Sequence, residues 1–108
     1  MKGLKLTERD VTRTGIDYLK AHGCECIRLH TGLFQRPGSE TRIRIGRKGQ
    51  ADWIIVLPGR HVPFFLEFKA PGKKPNSDQA LWRLDMVSRG FQVLVADSFE
   101  DVKEWMEQ

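Results

Sequence analysis

Two segments, Ala51 to Leu57 and Val62 to Ala70, stand either side of Pro58-Gly59-Arg60-His61 and constrain the fold more than any other stretch of this chain. Both read as strands, and a four-residue connection containing glycine suits a hairpin. A loop follows, Pro71-Gly72-Lys73-Lys74-Pro75-Asn76, then a helical stretch, then Phe91 to Ala96. That last run is nearly all apolar, as expected of a strand buried on both faces. A strand, helix, strand crossover over residues 62 to 96 implies one parallel pair in an otherwise antiparallel, mixed sheet.

The remaining elements are arranged around this unit. Thr7 caps a first helix with Asp10 in the capping-box position, and Leu6 with Val11 forms a hydrophobic staple. Val11, Gly15, Tyr18 and Leu19 make its buried stripe, and Gly23 ends it. Cys24 to His30 alternates, with Ile27 and Leu29 on one face, and reads as a strand. Residues 31 to 40 read as a loop, and Thr41 to Gly46 as a strand with one solvated, basic face. Ser77 or Asp78 caps a second helix, in which Leu81, Leu84, Asp85 and Val87 follow helical spacing, with Trp82 and Met86 beside them and Gly90 as the stop. A short last helix begins at Ser98 and buries Phe99, Val102, Trp105 and Met106. The order is helix, three or four strands, helix, strand, helix. The expected class is α/β, and 108 residues with 40% hydrophobic content supply one core and one domain, 1–108.

Charge and cysteines narrow the function classes. The net charge of +4 is uneven: residues 1 to 51 hold eleven Lys and Arg against five Asp and Glu, and the rest hold seven against nine. The densest basic stretch is Arg36, Arg42, Arg44, Arg47 and Lys48, which suits a polyanion such as nucleic acid. Cys24 and Cys26 sit one residue apart. Their flanking His22 and His30 leave a zinc site open, whereas the plainer reading is two small, reduced, core-facing residues. The longest apolar run is Trp53 to Leu57, far short of the roughly 18 residues of a membrane span, and Met1 to Leu6 has no apolar segment after its basic residues. No membrane association is expected, and the location expected is cytoplasmic.

The hairpin also places chemistry. Along Val62 to Ala70, Phe64, Leu66 and Phe68 fall on one face and Phe65, Glu67 and Lys69 on the other. An acid-x-Lys triplet alone is ordinary surface charge, as in Asp101-Val102-Lys103 of the last helix. A turn centred on Gly59-Arg60 changes its meaning, because facing residues then have numbers summing to 119 and Asp52 lies opposite Glu67. Their Cβ atoms would be roughly 4.5 to 5.5 Å apart. Two like charges at about 5 Å, in an effective dielectric near 20, repel by roughly 3 kcal/mol. Such a pair calls for a cation between the carboxylates or a proton on one of them. Mg²⁺ suits it, being a hard ion that takes one or two carboxylates and keeps waters. Lys69, on the same face, can polarise a water or stabilise charge that develops on a phosphate. Glu8 continues the stripe of Val11, Gly15 and Leu19 and points toward the sheet, although a first-turn acid also simply favours the helix dipole. Gln79, by spacing alone, is a solvated first-turn residue.

Gly49-Gln50-Ala51-Asp52, Phe65-Leu66-Glu67-Phe68-Lys69 and Ser77-Asp78-Gln79-Ala80-Leu81-Trp82 together resemble the VRR-NUC family of the PD-(D/E)XK nuclease superfamily. The resemblance extends through Leu84 to Ala96 and to Thr7-Glu8-Arg9-Asp10 with Tyr18-Leu19, while residues 31 to 45 carry little of it. Ala51 stands where the superfamily name has proline, which removes a backbone constraint and no ligand. The resemblance implies a restriction-endonuclease-like mixed sheet flanked by helices, an α-β-β-β-α-β core with an extra strand and a C-terminal helix. It also implies a Mg²⁺- or Mn²⁺-dependent DNA phosphodiesterase. Asp52, Glu67 and the Phe68 carbonyl would bind metal, Lys69 would assist the water, Gln79 would support the site, and Glu8 would be the helix-borne acid. Arg36, Arg42, Arg44, Arg47, Lys48, Lys73 and Lys74 would hold the DNA backbone. Small stand-alone members resemble homodimeric four-way (Holliday) junction resolvases, and larger ones cut flaps; the motifs leave the branched substrate open. A flap or non-specific nuclease, a silent nucleic-acid-binding module and a plain protein-interaction domain are the alternatives.

Overall fold

The computed structural model describes residues 5–30, 32–35, 37–60 and 62–108, apart from the side chains of residues 33, 34 and 43–45. In chain order the elements are α1 (Glu8–Ala21), β1 (Glu25–Arg28), β2 (Gly32–Gln35), β3 (Arg42–Ile45), β4 (Trp53–Val56), β5 (Phe64–Phe68), α2 (Ser77–Ser88), β6 (Val93–Ala96) and α3 (Phe99–Met106). One mixed sheet has the order β1-β4-β5-β6, antiparallel except for the parallel β5–β6 pair that the crossover requires. In β4–β5, Trp53 faces Leu66, Ile54 faces Phe65 and Ile55 faces Phe64, so the register is the one a turn at Gly59-Arg60 imposes.

Side-chain alternation then assigns the layers. Ile55, Phe64, Leu66 and Phe68 face one way and join Val11, Ile16 and Leu19 of α1 and Val102 of α3 in the main core. Phe65 and Val93 face the other way, where Trp82 of α2 closes a smaller cluster with Ala51 and Met86. Phe65 meets Trp82 edge-on, with ring centroids 5.0 Å apart. The α1 helix starts with the expected box, Thr7 Oγ1 accepting from Asp10 N–H at 3.2 Å and Asp10 accepting from Thr7 N–H at 2.9 Å. Gly15 lets α1 lie on the sheet, since a Cβ there would sit 2.6 Å from Cε1 of Phe68. Cys24 is buried and Cys26 half-buried, neither is in a disulfide, and burial pushes both thiols' pKa up. No three His, Cys, Asp or Glu side chains form a metal-holding group among the described residues.

Three expectations need correction. Residues 32–35, expected as loop, form β2, which pairs antiparallel with β3 as a separate two-stranded sheet. Gly32 opens that strand and Pro37 follows it closely, so the segment is too short and too broken to show alternation. Consequently β3 is a hairpin arm outside the main sheet, not an extra strand of it. The second helix is capped by Asn76, one residue before the expected Ser77 and two before Asp78, with Gln79 completing a capping box. Its buried side is Trp82 with Met86, while Leu81, Leu84 and Val87 remain 62%, 66% and 51% exposed. A large indole against Phe65 and Val93 orients the helix, and the aliphatic residues at the other phases are left outside.

Candidate active site

Continuing the β4–β5 register by one residue brings Asp52 across from Glu67 at the open end of the hairpin. On its other side Asp52 is tied to the edge strand, its carbonyl accepting from Leu29 N–H at 2.6 Å. Glu67 is the one charged residue buried with the core among the described residues, at 4% exposure. Burial pushes its pKa up to about 7, with Lys69 opposing the rise and the charges of Asp52 and Glu8 adding to it. Burial also raises the pKa of half-buried Asp52, against the pull of Arg28 and Lys69. Lys69, Asp52 and Glu8 are thus the charges that act on Glu67.

Gln79 is the residue whose solvated reading fails. Its backbone N–H donates to Asn76 Oδ1 and its Oε1 accepts from Asn76 N–H, both at 2.9 Å. That box leaves the Gln79 amide nitrogen aimed at the sheet, where it donates to Oε1 of Glu67 at 2.9 Å. A local capping motif therefore orients a side chain that reaches across to a buried carboxylate. The pattern Asn76-x-x-Gln79 was the available sequence signal for this contact.

The Gly49-Gln50-Ala51-Asp52 segment holds this helix start from the other side. Arg47 to Gln50 forms a turn closed by Gln50 N–H donating to the Arg47 carbonyl at 3.0 Å, with Gly49 at φ +84°. A Cβ at position 49 would collide with the Asp78 carbonyl and come within 2.8 Å of Gln79 N. Arg47 pairs with Asp85, and Lys48 Nζ lies 3.4 Å from Asp78. Two of the five cations of the expected DNA-binding stretch, Arg47 and Lys48, thus fasten the loop to α2. Arg42, Lys73 and Lys74 are exposed, Arg36 lies outside the described residues, and so does the side chain of Arg44.

Glu8 lies in the first turn of α1 and lines a cleft of about 220 Å³ with Arg9, Thr12, Arg28, Asp52 and Trp53. The structure thus brings Glu8 to Asp52. Phe68 has its ring in the main core, so its side chain takes no part in the site. A larger groove of about 820 Å³, with Leu6, Val11, Pro71 and Phe99 among its walls, does not include the carboxylates. The presence of Arg28 in this cleft was not legible, since the partner of β1 cannot be read from its own sequence.

Two carboxylates from adjacent strands, one of them buried, are hard oxygen donors that repel each other. That donor set is of the kind a small divalent cation takes, and a backbone carbonyl would be a donor of the same kind. It does not fit a thiolate- or imidazole-bound metal.

No family model matches the chain. Over 53 residues it is 40% identical to a protein described as putative nuclease p44 of Acyrthosiphon pisum secondary endosymbiont phage 1, a span of 49% of this chain and 56% of that protein. The chain therefore spans about half the length of the curated relative it matches. A solved structure described as a VRR_NUC domain superposes with a TM-score of 0.70 at 25% identity, covering 95% of this chain and 98% of the other. The resemblance read from the motifs and the expected mixed α/β fold are both borne out.

Proposed function

From the premise that the chain has the VRR-NUC fold and motif order, we propose that it is a divalent-metal-dependent, structure-selective DNA endonuclease, and specifically a four-way-junction resolvase. The VRR_NUC likeness and the relative described as a putative nuclease support the coarser reading, a nuclease. The observation that carries the site is Glu67, buried at the end of β5 across from Asp52 and held by Gln79. Asp52, Glu67 and the Phe68 carbonyl would hold Mg²⁺ or Mn²⁺, with Glu8 in the neighbouring cleft. When bound, such a cation supplies charge neutralisation for the carboxylate pair and the substrate phosphate, together with Lewis acidity.

The chain's own groups do the remaining work. Gln79 fixes the Glu67 carboxylate through one amide hydrogen bond and leaves its other oxygen unengaged by that bond. Lys69, two residues along the same strand face, orients the attacking water and meets the charge that develops on the phosphate. Hydrolysis adds the water oxygen to phosphorus, breaks the bond to the leaving sugar oxygen and passes a proton to that oxygen. Arg42, Lys73 and Lys74, all exposed, are available to the DNA backbone.

One chain carries one such site, and resolving a four-way junction takes two matched cuts. A two-fold homodimer supplies both. The deciding experiment incubates purified protein with linear, flap, fork and four-way-junction DNA, with and without Mg²⁺ or Mn²⁺, alongside light scattering at micromolar concentration. Metal-dependent cutting of junctions by a dimer is expected. A monomer that cuts linear duplex as fast as junctions would refute the resolvase reading, and metal-independent binding without cutting would refute the nuclease.

A further inference from the structure

The cleft beside Asp52 contains two cations that the reading above leaves without a task. Arg9 comes from the first turn of α1 and Arg28 from the end of β1, and both side chains are exposed. Among the described residues neither forms an ion pair, in contrast to Arg47, Lys48 and Arg89, which are matched with α2 carboxylates. Arg28 faces Trp53 across the β1–β4 pair, and its Cζ lies 5.5 Å from the centre of the indole ring. An arginine held against an aromatic face keeps its N–H edges available, and that planar fork matches a phosphate. Thr12 contributes little hydrogen bonding of its own, because its hydroxyl donates to the Glu8 carbonyl at 2.9 Å. The carboxylates of the cleft, Glu8 and Asp52, belong to the proposed cation site, so the two guanidinium groups are what remains to face an anion. A volume of about 220 Å³ leaves room for a phosphodiester group.

We propose that this cleft is a phosphate subsite, in which Arg9 and Arg28 hold the DNA backbone phosphate adjacent to the one that is cleaved. Trp53 is a positioning residue that holds the Arg28 guanidinium. This rests on the nuclease reading for the identity of the neighbouring, cleaved phosphate. An internal phosphodiester and a terminal phosphate share the same chemistry, and the proposal commits to the internal one.

The experiment places a single uncharged methylphosphonate at successive linkages on either side of the mapped cleavage position, and measures binding by fluorescence anisotropy and cleavage in single turnover. For the wild type, one linkage next to the cut should be sensitive, with about a tenfold loss when neutralised. Arg28→Gln should lose about tenfold on unmodified DNA and then be indifferent, within twofold, to neutralisation of that linkage. Its log-log salt plot should be shallower by about 0.9. Arg28→Lys, which keeps charge and loses the planar fork, should recover only part of the loss. Removing a 5′-terminal phosphate should change none of these values; sensitivity to it alone would overturn the assignment to an internal phosphate. A wild type and an Arg28→Gln variant with the same sensitivity at every linkage would overturn the subsite itself. If the protein binds DNA without cutting it, the same walk read by anisotropy still tests the subsite, while the nuclease reading falls separately.

Discussion

Replacing Glu67 by glutamine should stabilise the metal-free protein above neutral pH, and the gain should vanish in acid. Glu67 is 4% exposed, and its pKa is pushed from an ordinary 4.5 to about 7, first by burial and then by Asp52 and Glu8. The sign follows from linkage. The protonated form is favoured by folding, so its contribution is fully present below pH 4.5 and is lost as pH rises through about 7. At about 1.36 kcal/mol per pH unit, the ionised carboxylate costs the folded state roughly 3 kcal/mol. Glutamine removes the charge and keeps an oxygen to accept from Gln79, but it buries an extra NH₂ that costs about 1–2 kcal/mol if unpaired. A net gain of about 1–2 kcal/mol at pH 8.5 is expected, a rise in Tm of roughly 5–15 °C for a domain of this size. Thermal and urea denaturation in EDTA at half-unit steps from pH 4 to 8.5 would measure it. The mutant should be the less stable by about 1–2 kcal/mol below pH 4.5, the two curves should cross between about pH 5 and 6, and the mutant should be the more stable above pH 7. A constant gap across that range, or a mutant less stable at pH 8.5, would refute the burial argument.

Other outcomes follow from the same site. Asp52→Asn should abolish metal-dependent cleavage and stabilise the metal-free protein near pH 8; Mg²⁺ should raise the Tm of the wild type more than that of the mutant. Lys69→Ala should lose cleavage at least a hundredfold, since its task is at the transition state, while DNA affinity in a filter or anisotropy assay stays within a few-fold, at roughly the scale of one cation among many. Gly49→Ala should destabilise by about 2–4 kcal/mol in urea, combining a left-handed backbone with the collision at Asp78. Gly59→Ala, at φ +69° with open space around it, should cost only about 1–2 kcal/mol, and equal losses in the two variants would show that the α2 contact is immaterial.

Local physics was legible in the residues themselves. The Thr7–Asp10 box, the alternation of Phe64 to Lys69 and the Ser98 start of α3 depend on neighbours three or four positions apart, so their cues lie within one segment. The pairing of Asp52 with Glu67 was legible for a related reason. A short turn at Gly59-Arg60 ties two strands into one register, and a register slip would turn every apolar residue of β5 to the wrong face. The motif order carried the family resemblance, and the fold agrees with it.

What only the tertiary structure decided depends on packing between segments distant in sequence. Gly32 to Gln35 has too few apolar residues to announce a strand, and becomes one through pairing with Arg42 to Ile45. Helical spacing marks Leu81, Leu84 and Val87 as a stripe as readily as Trp82 and Met86; the shape of the Phe65–Val93 surface chose the indole side. Arg47 and Lys48 form part of a basic stretch in the sequence, yet they face Asp85 and Asp78 because Gly49 lets the loop approach α2. Gln79 reaches Glu67, and Arg28 reaches the cleft of Asp52, because the sheet order β1-β4-β5-β6 sets residues from three distant segments side by side. Strand order is a global minimum of burial and hydrogen bonding, and no single segment encodes it.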